Sequence, residues 1–163
     1  MAPRNARAPW WPWLVLAALV VAIDQLSKMV VSRTMHLSES RRLTDWLNLV
    51  CWHNAGAAFS FLHDAGGWQR WAFVALAAIA VVFIVVMLVR HRAQRLFSAA
   101  LALIMGGAIG NVIDRVVHGY VVDFIQLHYD SAAFPAFNAA DSAITLGAVL
   151  LIADELTRVR RAR

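Results

Sequence analysis

The sequence predicts a mainly α-helical membrane protein with four transmembrane helices and a small extracytoplasmic cradle rich in strands. Three observations lead there. Of 163 residues, 61% are hydrophobic and only 15% charged, and the mean hydropathy is +0.61. Four apolar stretches are each close to the roughly 20 residues that span about 30 Å of hydrocarbon. The charged residues gather at the ends of those stretches.

The four spans run from Trp10 to Val31, Trp71 to Val89, Leu96 to Val117 and Ala139 to Leu156, within one domain covering residues 1–163. The first follows Arg4 and Arg7 as a signal peptide would. It is too long for one, however, and carries Asp24 and Lys28 instead of a small-residue cleavage site, so it is expected to remain as an anchor. Residues 32–70 form the longer outer segment. In its middle, Leu43, Asp45, Leu47, Leu49 and Cys51 alternate with Trp46, Asn48, Val50 and Trp52, which predicts a strand or hairpin. Asn54-Ala55-Gly56-Ala57-Ala58-Phe59 then makes a small-residue turn that can dip into the bilayer, and Trp68 and Trp71 open the second span at headgroup level. Residues 118–138 form the second outer segment, in which Val121 and Val122 bring an extended chain back to the membrane surface.

Orientation follows from Lys and Arg, which stay cytoplasmic when they flank a span. Arg4, Arg7, Arg90, Arg92, Arg95, Arg158, Arg160, Arg161 and Arg163 fall on one side, so both termini are expected in the cytoplasm. Asp24, Glu39, Asp45, Asp64, Asp114, Asp123, Asp130 and Asp141 fall on the other, leaving Asp154 and Glu155 inside. The net charge of +5 therefore reflects topology and not a nucleic-acid partner; the basic tail faces anionic lipid headgroups. Cys51 is the only cysteine, which excludes an intrachain disulfide and reads as a buried, inert thiol.

Ionisable groups at membrane depth cost roughly 2.5 to 3.5 kcal/mol each, so several kept together mark a site. Asp24 and Lys28, four apart on one helical face, either neutralise each other or frame that site. Gly106, Gly107 and Gly110 contain a small-xxx-small spacing for close helix packing. Asn111, on the face of Arg115, bonds a neighbouring helix or holds a substrate backbone. Asp114, near a helix C-terminus that disfavours an anion, is expected to hold the adjoining Arg115. Asp123 has no cation after it in sequence. Asp141 opens the fourth helix, where free N–H groups and the dipole welcome an anion. Asp141 reads either as a capping residue or, since Asn138 is also a good cap candidate, as a group left freer for chemistry. His36, His53, His63, His91, His118 and His128 lack ligand spacing, so no metal site is expected.

Two carboxylates in unlike settings at one membrane face suit acid-base work, one ionised toward water and the other protonated toward a carbonyl. No G-x-S-x-G elbow competes with them. At Asp24-Gln25 to Lys28, Asn54 to Phe59, Gly106 to Arg115, Gly119-Tyr120-Val121-Val122-Asp123-Phe124 and Phe137-Asn138-Ala139-Ala140-Asp141-Ser142, the chain resembles the lipoprotein signal peptidases. This is the signal peptidase II family of bacterial membrane aspartyl proteases. The resemblance covers nearly the whole chain. It implies four helices in the bacterial inner membrane and an active site at the outer face, with Asp123 and Asp141 as catalytic pair. Asp24, Lys28, Asn54, Gly56, Asn111, Asp114, Arg115 and Asn138 are implied as supporting or substrate-binding residues. The implied reaction removes a signal peptide before a diacylglyceryl-modified cysteine, needing no metal or organic cofactor. Its partners are lipidated prolipoproteins and membrane lipids; the oligomeric state stays open, a monomer being compatible with it.

A rival reading is a four-helix proton-coupled small-molecule exporter, with Asp24 or Asp114 as proton carrier. It leaves the gathering of acidic groups at one face, with Asn and Gly beside them, without a reason.

Overall fold

A computed structural model describes residues 9–56, 67–130 and 132–162. Arg4, Arg7, Ala57, Ala58, Phe59, His63, Asp64 and Arg163, which figure in the sequence reading, lie outside the described residues. Long apolar runs become helices because hydrocarbon offers backbone groups no partner except one another. The elements are α1 (Trp11–Thr34), β1 (Ser40–Arg42), β2 (Leu47–Asn54), α2 (Trp68–His91), α3 (Arg95–Val117), β3 (Val121–Tyr129), β4 (Ala132–Ala133) and α4 (Ala139–Ala162). Pro12 lies in the first turn of α1, where a missing N–H costs nothing.

Among the described residues, three helices, α1, α2 and α3, are long and apolar enough to cross a membrane. The α4 helix is as long, but Asp141, Asp154 and Glu155 fall within residues 139–156 and set its composition apart. Their outer faces are apolar, with Leu19, Ile23, Leu76, Ile79, Phe83, Val149 and Ile152 all exposed. The central helix is α3, which lies against α1, α2 and α4.

Glycine explains the closeness. A Cβ on Gly106 would stand 2.7 Å from the Ala17 carbonyl oxygen of α1, and one on Gly147 of α4 would stand 2.7 Å from the Ala100 oxygen of α3. Ala17, Ile84, Leu88, Leu101 and Met105 form the core between the helices. The end of α3 is closed by Gly119, whose φ of +90° is the left-handed conformation that favours glycine after a helix. Arg70, in the first turn of α2, donates to the Val116 carbonyl at 2.7 Å and satisfies another terminal acceptor.

The strands form an antiparallel sheet in the order β1-β2-β3-β4. It rests on the end of α1 through Val31, Met35, Cys51 and Phe124. The hairpin read from sequence exists, with Ser40 opposite Val50 and Arg42 opposite Asn48. Its alternation is interrupted, however. An irregularity between Leu49 and Trp52 shifts the register against β3, so consecutive Val50 and Cys51 are both buried. Leu43 and Asp45 lie in the turn, before the strand begins. The extra residue re-aims Trp52 and Asn54 for pairing beside Asp123 and Val121.

Candidate active site

Asp123 sits in β3 and is 4% exposed. Both of its oxygens accept amide hydrogens: Oδ1 from Asn138 Nδ2 at 2.7 Å and Oδ2 from Asn54 Nδ2 at 3.0 Å. The Oδ1 of Asn54 accepts the Gly56 N–H at 3.0 Å, which orients that amide. Burial pushes the Asp123 carboxyl from an ordinary 3.8 up to about 6. The Asn54 and Asn138 hydrogen bonds oppose the rise, and neighbouring Asp141 adds to it.

Asp141 lies in the first turn of α4, and its role there differs from the reading that leaves it free. Asn138 caps the helix, its Oδ1 accepting the Asp141 N–H at 2.9 Å, but Asp141 Oδ2 accepts the Asn138 N–H in return at 3.3 Å. This reciprocal capping box occupies Oδ2 instead of freeing it. The other oxygen, Oδ1, accepts from Asn111 Nδ2 at 2.8 Å. Asn138 therefore touches both carboxylates, and Asn111 ties α3 to α4.

Behind these groups lies a fully buried ionic cluster. Lys28 Nζ stands 2.8 Å from Asp24 Oδ2, 3.0 Å from Asp114 Oδ2 and 3.0 Å from Asn111 Oδ1. Asp24 and Lys28 thus do more than neutralise each other. Asp24 Oδ1 accepts the Ala140 N–H at 2.9 Å, satisfying a terminal donor of α4 from across the bundle. Gly110 makes room for it, since a Cβ there would meet Asp24 Oδ2 at 2.5 Å.

The expectation that Asp114 holds Arg115 is corrected. Consecutive residues on a helix point about 100° apart, and Asp114 turns to Lys28, to Gln25 Nε2 at 2.9 Å and to the Val122 N–H at 3.1 Å. The cluster compensates the unfavourable helix terminus. Arg115 instead donates to the Gly56 carbonyl at 3.0 Å, reaches the Asn111 carbonyl at 3.4 Å, and lies over the Phe73 ring.

All ten residues singled out by sequence converge here. Asn54, Asn111, Arg115, Asp123 and Asp141 line a cavity of about 1410 Å³, which continues past Trp52 and Phe134 on the sheet side and along Ile144, Leu146 and Val149 of α4. Asp24, Lys28, Asp114 and Asn138 are buried behind it. Sequence reasoning missed Gln25, whose Nε2 also reaches Asp24 Oδ2 and the Gly110 carbonyl at 3.2 Å each; its place beside Asp24 was the available signal. It also missed His53, which lines the cavity and stacks on Tyr120 at 3.8 Å.

Comparison with known proteins identifies the family. A family model described as Signal peptidase (SPase) II matches residues 16–157. The lipoprotein signal peptidase of Cupriavidus necator is 58% identical over 149 residues, covering 91% of this chain and 85% of that protein. That of Burkholderia multivorans is 57% identical over 152 residues, covering 93% and 92%. A solved bacterial membrane enzyme superposes with a TM-score of 0.83 at 32% identity, covering 93% of this chain and 92% of that one. None of these relatives supports an exporter. The chain belongs to the signal peptidase II family: it is an integral membrane protease with signal peptidase II function.

Proposed function

We propose that the chain removes signal peptides from lipidated prolipoproteins by hydrolysing the bond before the diacylglyceryl-modified cysteine, with Asp123 and Asp141 as the catalytic pair. One observation carries this reading: two carboxylates, both hydrogen-bonded to Asn138, line a single cavity where helix ends meet the sheet. One aspartate takes a proton from water as it attacks the scissile carbonyl. The other gives a proton to the carbonyl oxygen and later to the leaving amine, so no metal or organic cofactor is required. An Asp123 carboxyl raised to about 6 exchanges its proton near neutral pH. Arg115 and the amides of Asn54 and Asn111 line the cavity where an extended peptide would be aligned.

In this reading all four helices span the bacterial inner membrane as one domain, both termini are cytoplasmic, and the site opens at the outer face. A signal peptide inserted with its basic end inside emerges there with its cleavage point. The apolar limb of the cavity along α4 admits lipid from the bilayer. Incubating purified protein with lipidated and unlipidated forms of one preprotein tests the reading. Cleavage of the lipidated form alone supports it, and equal cleavage of both removes the lipid from the substrate definition.

A further inference from the structure

An asparagine side chain is nearly symmetrical in shape, and only its partners decide which end donates. The oxygen end of Asn111 faces two donors, Lys28 Nζ at 3.0 Å and Asn138 Nδ2 at 3.3 Å, while its nitrogen end faces Asp141 Oδ1 at 2.8 Å. Reversed, the amide would set N–H groups against an ammonium and its oxygen against a carboxylate. Lys28 has three donor hydrogens and three acceptors, in Asp24, Asp114 and Asn111. At 3% exposure it is shut away from the cavity and out of reach of substrate.

We propose that Lys28 is a positioning residue: it locks the direction of the Asn111 amide and so holds a permanent donor on one oxygen of Asp141. The inference rests on the proposed catalytic pair and deepens it. Asp24 and Asp114 anchor the ammonium from α1 and α3, and Gly110 leaves the space in which Asp24 reaches both Lys28 and the start of α4. The cluster sets the direction in which a neutral amide works on the reacting group, through one intervening side chain.

The test is a charge-balanced double variant, Lys28→Met with Asp114→Asn, which removes one cation and one anion together. Steady-state cleavage of a lipidated preprotein is measured beside thermal unfolding. The side-chain amides of the five asparagines are followed by NMR after selective ¹⁵N labelling, with Asn111 assigned by its absence in Asn111→Ala. The expected result is a kcat lower by roughly ten- to a hundredfold, a KM within about twofold, and a shifted Asn111 amide. A folded double variant with wild-type kcat, or with an unshifted Asn111 amide, overturns the proposal. Should that variant fail to fold, Lys28→Met with Asp24→Asn, which removes the other neighbouring anion, carries the same two readouts; wild-type kcat or an unshifted Asn111 amide there likewise overturns the proposal. Asp141→Asn is the separate control. Turnover surviving in that variant overturns the catalytic pair, whereas the Asn111 resonance tests the link to Lys28 whichever groups are catalytic.

Discussion

Asn138 and Asp141 hold each other at the start of α4. The Asp141 N–H donates to Asn138 Oδ1 at 2.9 Å, and the Asp141 carboxylate accepts the Asn138 N–H at 3.3 Å. The same asparagine gives its Nδ2 to Asp123 at 2.7 Å. Helix capping and the geometry of the proposed catalytic pair thus share one side chain. Asn138→Ala is expected to lose about 1 kcal/mol or more of stability through the cap and most of its turnover. Thermal unfolding and a cleavage assay on the same preparation check both.

Asp123→Asn and Asp141→Asn should each insert and fold but cleave nothing, because an amide cannot exchange the proton that hydrolysis needs. Asp45→Asn should match wild type, since that side chain is exposed in the turn before β2, where its partner is Arg42. Near-normal turnover by either of the first two in a gel-shift assay would remove it from the pair.

The Asp123 carboxyl titrates at about 6 in the folded protein, against an ordinary 3.8, because burial penalises its ionised form. Below 3.8 the group is protonated folded or unfolded and its contribution to stability is complete. As pH rises through about 6 that contribution, about 3 kcal/mol, is lost. Asn54 opposes the shift by donating to the carboxylate. Asn54→Ala should therefore move the pH-rate limb near 6 to higher pH. A limb that stays fixed or moves down would separate Asn54 from this ionisation.

Gly110→Ala should weaken the bundle from within. Its Cβ would collide with Asp24 Oδ2, and Asp24 holds both Lys28 and the Ala140 N–H. Overpacking of this kind costs roughly 1–3 kcal/mol. Thermal unfolding of the variant, compared with an alanine at open position Gly67, measures it, although the left-handed φ of +92° there adds its own strain.

Topology can be read with a thiol probe that does not cross membranes, in a Cys51→Ser background. A cysteine at Asp45 should label in intact cells, and one at Gln94, beside Arg92 and Arg95, only after permeabilisation. The reverse pattern would place the carboxylates on the cytoplasmic side.

By itself the sequence determined that this is a membrane protein, since hydropathy depends on composition alone. It also pointed to the site, because polar groups that survive beside apolar spans need partners or a function. The four helices, the hairpin and five polar residues of the cavity wall, Asn54, Asn111, Arg115, Asp123 and Asp141, were legible in it. Pairing was not. Adjacent Asp114 and Arg115 were read as partners, but helix geometry turns Asp114 toward Lys28, 86 positions away in the sequence. Asp141 was read either as a cap or as freed by the Asn138 cap, yet the two close a reciprocal box. The alternation of β2 gave no sign of the irregularity that buries Val50 and Cys51 together. The capping box is local, its partners three residues apart, whereas the Asp114–Lys28 pair and the β2 register depend on contacts between elements distant in sequence, the former where Gly106 lets α3 approach α1. Only the tertiary structure decides which donor meets which acceptor, because hydrogen bonds depend on distance and direction, and residue order specifies neither across helices.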